Sequence, residues 1–262
     1  MLLAIDIGNT NITLGAFEKG YLKSTWRVAT DLRKLGDEYG PLVSNMLPFK
    51  GIDPRDITDA CICSVVPPLS PIFEQVCRTY FDVEPLTVSA GVKTGIHIIY
   101  DTPRDVGTDR IADAVAALRL YGGPAIIVDF GTGTVFDAIS KNGEYIGGAI
   151  APGLAVAAEA LYRNTSQLRR GELVPPKSAI GRNSIAALQS GLVLGYVGLV
   201  EGMIARFKEE LGQEATVVAT GGLAEVMAEQ TTVFDNINPD LTLIGLQAIY
   251  ELNKKAPPEG GD

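Results

Sequence analysis

The sequence predicts an α/β protein made of two related halves, each a mixed sheet flanked by helices, with a cleft between the halves. Two observations predict this fold. Short apolar runs typical of buried strands alternate with segments of helical periodicity. In addition, the pattern of residues 4–11 recurs at residues 127–134, where Asp6 matches Asp129 and Gly8 matches Gly131. Repetition of one supersecondary unit indicates a duplicated fold.

In the first half, apolar runs bounded by turn residues predict strands. They cover residues 2–7, 12–17, 21–29, 60–66 and 84–89. Helical spacing predicts a helix over 68–81. A second helix opens at residues 106–109, with Thr108 as its predicted N-cap, and stops at 122–124.

In the second half, the same criteria predict strands at 125–128, 135–140, 145–151 and 216–219. Long helices are predicted over 183–211, with a break near Gly191 or Gly195, and over 241–254. We therefore expect one domain at 1–121 and a second at 122–255. The acidic stretch 256–262, rich in proline and glycine, is expected to be a disordered tail.

Composition excludes several classes of protein. Hydrophobic residues make up 46% of the chain and charged residues 20%, which allows a buried core. The formal net charge of −9 argues against nucleic acid or an anionic membrane as a partner. Three cysteines, no signal-like start and no uninterrupted membrane-length apolar run predict a cytoplasmic protein with free thiols. His97, the single histidine, makes a histidine-based metal site or a Ser-His-Asp triad improbable.

The two repeated turns carry the chemistry. Each follows a buried strand that ends in an aspartate, and each combines glycine with short polar side chains. Glycine turns point successive backbone N–H groups into a concavity that suits phosphate. An aspartate there is useful when a cation lies between carboxylate and phosphate. One such turn is usually only structural, but two related copies indicate a clamp on a polyphosphate. Neither turn matches a Walker A loop or a dinucleotide-binding fingerprint.

Five segments in order resemble those of type III pantothenate kinases. DIGNTN at 6–11 resembles the family's first phosphate motif, GTDR at 107–110 its substrate motif, and DFGTGT at 129–134 its second phosphate motif. GGAIAPG at 147–153 and TGG at 220–222 fall where the family has later glycine segments. The resemblance implies the actin/hexokinase/Hsp70-like fold. It also implies ATP-dependent phosphorylation of pantothenate, the first step of coenzyme A biosynthesis.

The resemblance implies residue roles as well. It makes Asp109 the general base and Asp129 the ligand of a monovalent cation, potassium or ammonium. Asp6 would act on magnesium through water. The implied ATP contacts are Asp6, Ile7, Gly8, Asn9, Thr10, Asn11, Ile12, Thr13 and Thr132. The implied pantothenate contacts are Tyr100, Gly107, Thr108, Asp109, Arg110 and Ser184. A homodimer is implied too, with small residues between 185 and 204 at its interface and the partner subunit closing the pantothenate pocket.

Asp109 stands at the start of a predicted helix, where the macrodipole favours the charged form. We therefore expect an ionised but weakly basic carboxylate. A strong base is not needed, because phosphoryl transfer has a loose transition state. Arg110 would hold either the carboxylate of pantothenate or the oxygens of the transferring phosphoryl group. Asp113, one turn later, is expected to be structural.

Two other functions fit the same sequence pattern. One is a related kinase acting on a sugar or carboxylic acid, which the GTDR segment disfavours. The other is an inactive relative with a regulatory or accessory role. Asp6, Asp109 and Asp129 are all present, and a purely structural relative would need none of them.

Overall fold

The computed structural model describes residues 1–164 and 173–254. The chain forms two compact units. Unit 1 comprises Met1–Ile96, Asp101–Ala116 and the chain from Leu241, and unit 2 comprises His97–Tyr100 and Ala117–Asp240. The predicted division at residues 121–122 follows the sequence repeat, whereas unit 1 also includes the last helix. The expected tail at 256–262 lies outside the described residues.

The strands of both units belong to two sheets, one in each unit. In chain order they are β1 Leu2–Ile7, β2 Asn11–Glu18, β3 Tyr21–Ala29, β4 Asp59–Ser64, β5 Leu86–Thr87, β6 His97–Ile98, β7 Ala125–Phe130, β8 Gly133–Ile139, β9 Glu144–Pro152, β10 Thr216–Thr220 and β11 Asn236–Ile237. The longer strands agree with the sequence prediction. The strand predicted at 84–89 is wrong in extent, because only the two residues of β5 join the sheet.

The helices are α1 Gly36–Met46, α2 Ser70–Phe81, α3 Thr108–Tyr121, α4 Leu154–Asn164, α5 Ser184–Gln189, α6 Gly195–Leu211, α7 Ala224–Ala228 and α8 Leu241–Asn253. Sequence periodicity does not predict α1, since Gly36, Gly40 and Pro41 are poor helix formers. Packing explains Gly40: a Cβ there would collide with the ring of Tyr80 on α2. Tertiary contact thus overrides local propensity in α1.

Strand order confirms the duplication. The sheet of unit 1 has the order β3-β2-β1-β4-β5, and the sheet of unit 2 has the order β11-β10-β7-β8-β9-β6. In each sheet the first strand of the repeat pairs antiparallel with the next strand and parallel with a later one. β1 therefore corresponds to β7, β2 to β8 and β4 to β10. The short strand β6 is an addition, paired with β9.

Each unit has its own hydrophobic core. β1 and β7 are buried along almost their whole length, except at Asp6 and Asp129. Such near-continuous burial is typical of central strands covered on both faces. In unit 1 the core joins β1, β2 and β4 to α1 and α2. In unit 2 it joins β7, β8 and β10 to α4 and α6.

The predicted helix over 183–211 is one helical stretch with a local change of winding. A π-helical turn at Ser190–Leu194 links α5 to α6, close to the predicted break at Gly191 or Gly195. By length and composition alone, Ser184–Leu211 could cross a membrane, and 33% of its most apolar window is buried in the protein. Core helices of soluble proteins meet the same criterion, so this stretch by itself is weak support for a membrane span.

Candidate active site

Asp6 lies at the end of β1, where the parallel pairing with β4 places it opposite Cys63. The Cys63 thiol donates a hydrogen bond to Oδ1 of Asp6 over 3.3 Å. Cys63 is fully buried, and it is one of three buried free cysteines, as the sequence predicts. The register of two core strands therefore gives Asp6 a neutral hydrogen-bond donor.

The beginning of α3 is attached to the end of β4. Thr108 Oγ1 accepts a hydrogen bond from the backbone N–H of Ser64 and donates one to the Ser64 carbonyl, at 3.1 and 3.2 Å. The predicted N-cap role of Thr108 is wrong, because Thr108 is the first residue of the helix and its hydroxyl is bound to β4. Since Ser64 follows Cys63, this attachment brings the start of α3 near Asp6.

The charge of Asp109 consequently affects the ionisation of Asp6. Burial, and then the negative charge of Asp109, raise the pKa of Asp6 to about 7, against smaller opposing effects of Cys63 and Arg27. Burial also raises the pKa of Asp109, despite the Arg110 backbone N–H that donates to its Oδ1 over 2.8 Å. The prediction that Asp109 is weakly basic is therefore wrong. Desolvation raises the pKa of its carboxyl group by more than the position at the helix start lowers it.

The paired carboxylates suit a hydrated divalent cation. Magnesium typically binds through one or two carboxylates together with waters and phosphate oxygens, rather than in a cage of protein ligands. Residues 1–164 and 173–254 contain no group of three or more His, Cys, Asp or Glu side chains that could hold a metal ion. A cation between Asp6 and a phosphate would stabilise the charged carboxylate against the burial and the repulsion by Asp109 that raise its pKa.

The turn between β1 and β2 is tight and exposed. The Gly8 N–H donates to the Asn11 carbonyl over 3.0 Å, and Asn9, Thr10 and Asn11 are exposed. A Cβ on Gly8 would stand 2.9 Å from the Asn11 carbonyl oxygen, so the turn has no room for a side chain there. The carbonyl of Gly8 accepts a hydrogen bond from Thr30 Oγ1 over 2.6 Å.

Unit 2 brings the second aspartate turn and the last glycine segment together. β7 pairs Asp129 with Thr220 of β10, as β1 pairs Asp6 with Cys63. Gly221 has φ 88°, and a Cβ there would collide with the Asp129 carboxylate. Gly221 therefore has to be glycine both for its backbone conformation and for its closeness to Asp129.

The glycine segment at 147–153 also belongs to this part of unit 2. β8 and β9 pair along their length, and the Gly153 N–H donates to the Thr132 carbonyl over 3.0 Å. A Cβ on Gly153 would collide with that carbonyl. Thr132 itself is exposed, whereas Thr134 is buried and shares a 3.1 Å hydrogen bond with the Tyr196 hydroxyl. Thr132 is thus exposed on a turn that is held by the hydrogen bond from Gly153 and by the bond between Thr134 and Tyr196.

Tyr100 and Ser184 both lie in unit 2, on different elements. Tyr100 follows β6, and its ring packs near Gly147 and tilts against the ring of Tyr145 at 6.3 Å between centroids. Ser184 is the exposed first residue of α5, a helix capped by Asn183, which accepts a hydrogen bond from the Ala186 N–H. Among the described residues, no hydrogen bond or ring contact joins Tyr100 to Ser184.

The structure adds Thr30, Cys63 and Tyr196 to the predicted residues, because each of them contacts a predicted motif. None stands in a recognisable motif, so no local signal marks them in the sequence. Asp113, expected to be structural, is buried and accepts a 2.6 Å hydrogen bond from Thr242 on α8.

Comparison with known proteins gives one consistent family. Residues 2–206 match the sequence model of the family described as Type III pantothenate kinase. A relative of that description from Roseiflexus sp. (strain RS-1) is 52% identical over 254 residues, covering 97% of this chain and 100% of the relative.

Among solved structures, a Campylobacter jejuni protein described as a Baf family transcriptional activator has a TM-score of 0.61 at 20% identity, covering 96% of this chain and 98% of its own. The activator of 2-hydroxyisocaproyl-CoA dehydratase from Clostridium difficile, with bound ADPNP, has a TM-score of 0.51 at 13% identity, covering 95% and 93%. At these identities the two likenesses show the fold alone.

The ionised form of Asp6 should destabilise the folded protein. A carboxyl whose pKa is higher in the folded than in the unfolded protein favours folding below the unfolded pKa, and this contribution is lost as the pH rises through the folded value, about 7. Without nucleotide and divalent cation, Asp6→Asn should therefore stabilise the protein by about 1–4 kcal/mol above pH 7. The gain should shrink as the pH falls toward 4. Urea denaturation between pH 4 and 8 measures it.

The exposed Asp105 is the matched control, because Asp105→Asn removes a charge that is not desolvated. Its effect on stability should be small at every pH. Equal or lower stability of Asp6→Asn at pH 8 would show that burial of the Asp6 charge carries no cost.

Proposed function

This chain belongs to the type III pantothenate kinase family and phosphorylates pantothenate with ATP in the first step of coenzyme A biosynthesis, and from this premise we propose which residues carry the reaction. Its fold is the duplicated actin/hexokinase/Hsp70-like fold. One observation carries the assignment: the hydroxyl of Thr108 is bound to the end of β4, and this brings the start of α3, with Asp109, toward the strand end that carries Asp6.

Asp109 is the catalytic base. The pantothenate hydroxyl attacks the γ-phosphorus, an O–P bond forms, the bond to ADP breaks, and the hydroxyl proton passes to Asp109. Burial supports this role, because a raised pKa makes the carboxylate a better proton acceptor than an exposed aspartate. Gly107, Thr108 and Arg110 would shape the pantothenate site around it, with Tyr100 and Ser184 as further contacts. Arg110 would bind either the carboxylate of pantothenate or the phosphoryl oxygens.

The turn from Asp6 to Thr13 binds the phosphates of ATP, and Thr132 makes a further ATP contact. The exposure of Asn9, Thr10 and Asn11 supports the first assignment, because glycine turns of this kind present N–H groups to anions. Asp6 would hold magnesium through water, and magnesium supplies neutralisation of phosphate charge when bound.

Asp129 binds the monovalent cation, potassium or ammonium. A Cβ on Gly221 or on Gly131 would meet its carboxylate oxygens, and a Cβ on Gly131 would also stand 3.6 Å from the Gly133 carbonyl oxygen, which we propose as a further ligand. Oxygen ligands of this type suit a hard cation.

The protein acts as a cytoplasmic homodimer that joins through the stretch Ser184–Leu211. Gly191, Gly195 and Gly198 are exposed along one side of this stretch, and a Cβ at any of the three would meet no atom within 4 Å. An apolar helix that the chain itself covers by only a third fits burial against a second subunit. In this proposal a partner subunit, and not a lipid bilayer, covers the apolar side.

The activity is tested by a coupled assay of ADP release with purified protein, ATP and pantothenate. Asp109→Asn should lower kcat about 100- to 10,000-fold, because the hydroxyl proton loses its acceptor. ATP should still bind, since that site is left intact. Asp105→Asn is the control of equal charge change and should stay near the wild-type rate. A near-normal kcat of Asp109→Asn would remove Asp109 from the base role.

The cation site is tested by the same assay in potassium, ammonium or sodium. We expect potassium and ammonium to stimulate the wild-type enzyme, and Asp129→Ala to lose most of that stimulation because the cation loses its charged ligand. The Asp105→Asn variant should respond like the wild type. An unchanged cation response of Asp129→Ala would assign the cation to other residues.

The dimer is tested by analytical ultracentrifugation. Gly195→Gln places a long side chain in space that is open in the monomer, so the subunit should fold while the dimer dissociates. Phe49→Gln, which changes an exposed apolar residue of unit 1, should leave the mass unchanged. A dimer in both variants, or a wild-type monomer, would contradict the proposed interface.

A further inference from the structure

Thr30, the residue that follows β3, holds the turn between β1 and β2 at two points. Its hydroxyl donates to the Gly8 carbonyl over 2.6 Å, and its backbone N–H donates to the Thr10 carbonyl over 3.0 Å. The hydroxyl bond spans a sequence separation of 22 residues. The backbone bond continues the pairing of β2 with β3, whereas the hydroxyl bond depends on the side chain and could be lost by mutation.

The bond to Gly8 controls the direction of a neighbouring donor. The Gly8 carbonyl and the Asn9 N–H belong to one planar peptide unit, in which they point in opposite directions. Thr30 draws the carbonyl toward itself, so the Asn9 N–H points away from Thr30. Glycine permits many orientations of this peptide, and a fixed partner for its carbonyl therefore selects one of them.

Thr30 is in turn anchored to the core of unit 1. The Tyr39 hydroxyl accepts a hydrogen bond from the Asp31 N–H over 2.9 Å and donates one to the Asp31 carbonyl over 3.0 Å. Tyr39 is fully buried and its ring packs against Phe73 at 4.9 Å between centroids. The core is thus linked to the turn through Tyr39, its hydrogen-bond partner Asp31 and the adjacent Thr30.

We propose that Thr30 is a positioning residue for ATP, whose hydroxyl holds the Gly8–Asn9 peptide in the orientation that binds the phosphates. The inference rests on the proposed role of the Asp6–Thr13 turn as the phosphate-binding turn. Thr30 acts through the backbone of that turn, to which it is bound at Gly8 and Thr10. Its loss therefore affects ATP and leaves pantothenate unaffected.

The test compares three variants in the coupled assay. Thr30→Val keeps the shape and removes the hydroxyl, and Thr30→Ser keeps the hydroxyl. Thr25→Val makes the same change at an exposed position of β3. We expect Thr30→Val to raise the KM for ATP about tenfold, as for the loss of one well-formed hydrogen bond, with the KM for pantothenate within about twofold of wild type. Thr30→Ser should restore most of the ATP affinity, and Thr25→Val should match the wild type.

A merely structural role would give a different result. It would lower Tm and the active fraction, and hence kcat, without separating the two KM values. If Thr30→Val does not fold, Tyr39→Phe removes only the hydroxyl that anchors Asp31 and should raise the KM for ATP in the same direction. An unchanged KM for ATP in an active Thr30→Val enzyme overturns the inference.

Direct binding of a non-hydrolysable ATP analogue, measured by calorimetry, separates this inference from the proposed function. A wild-type protein without pantothenate turnover would contradict the function. The inference would still be decided by whether Thr30→Val weakens binding of the analogue relative to Thr25→Val. Equal affinity of these two variants for the analogue would refute the positioning role.

Discussion

The parallel pairing of β1 with β4 is the constraint on which the site in unit 1 depends. Its register places Asp6 opposite Cys63, and the next residue, Ser64, binds the hydroxyl of Thr108. Asp109 then follows Thr108 at the start of α3. Burial raises the pKa of both carboxyl groups, the charge of Asp109 raises that of Asp6 further, and ionisation of these groups therefore works against folding. Such a cost is typical of functional sites, and it agrees with the roles that we propose for Asp6 toward magnesium and for Asp109 as the base.

Duplication supplies the second aspartate turn on the same scaffold, with different surroundings. β7 and β10 repeat the pairing of β1 and β4, but Thr220 stands where the first copy has Cys63. Gly221 lies so close to Asp129 that a Cβ at that position would collide with the carboxylate. For the aspartates of the first copy we propose magnesium binding and acid–base chemistry. For the aspartate of the second copy, which lies against Gly221, we propose a monovalent cation.

Local sequence predicted the structure well at the two aspartate turns, where the same few residues form the turn and carry the functional groups. The two turns were predictable because their glycines, aspartates and hydroxyl residues stand close together in the sequence. The strands around them were predictable because their apolar patterns are strong. The errors have physical causes. Thr108 resembles an N-cap, yet a long-range bond to β4 uses its hydroxyl. Asp109 was expected to be weakly basic from its helix position, yet burial outweighs the macrodipole. α1 forms although Gly40 is a poor helix former. Glycine is required at that position because a Cβ would collide with the ring of Tyr80.

By itself, the sequence determined the duplicated α/β fold, the two aspartate turns and the family. These follow from patterns within a few residues, and from their order along the chain. Tertiary structure alone decided which residues form hydrogen bonds to the two turns. These pairs are Cys63 with Asp6, Thr30 with Gly8 and Tyr196 with Thr134. The reason is that a hydrogen bond between residues distant in sequence depends on strand register and helix packing. Neither is encoded in the neighbourhood of either partner, so the contact appears only when the chain has folded.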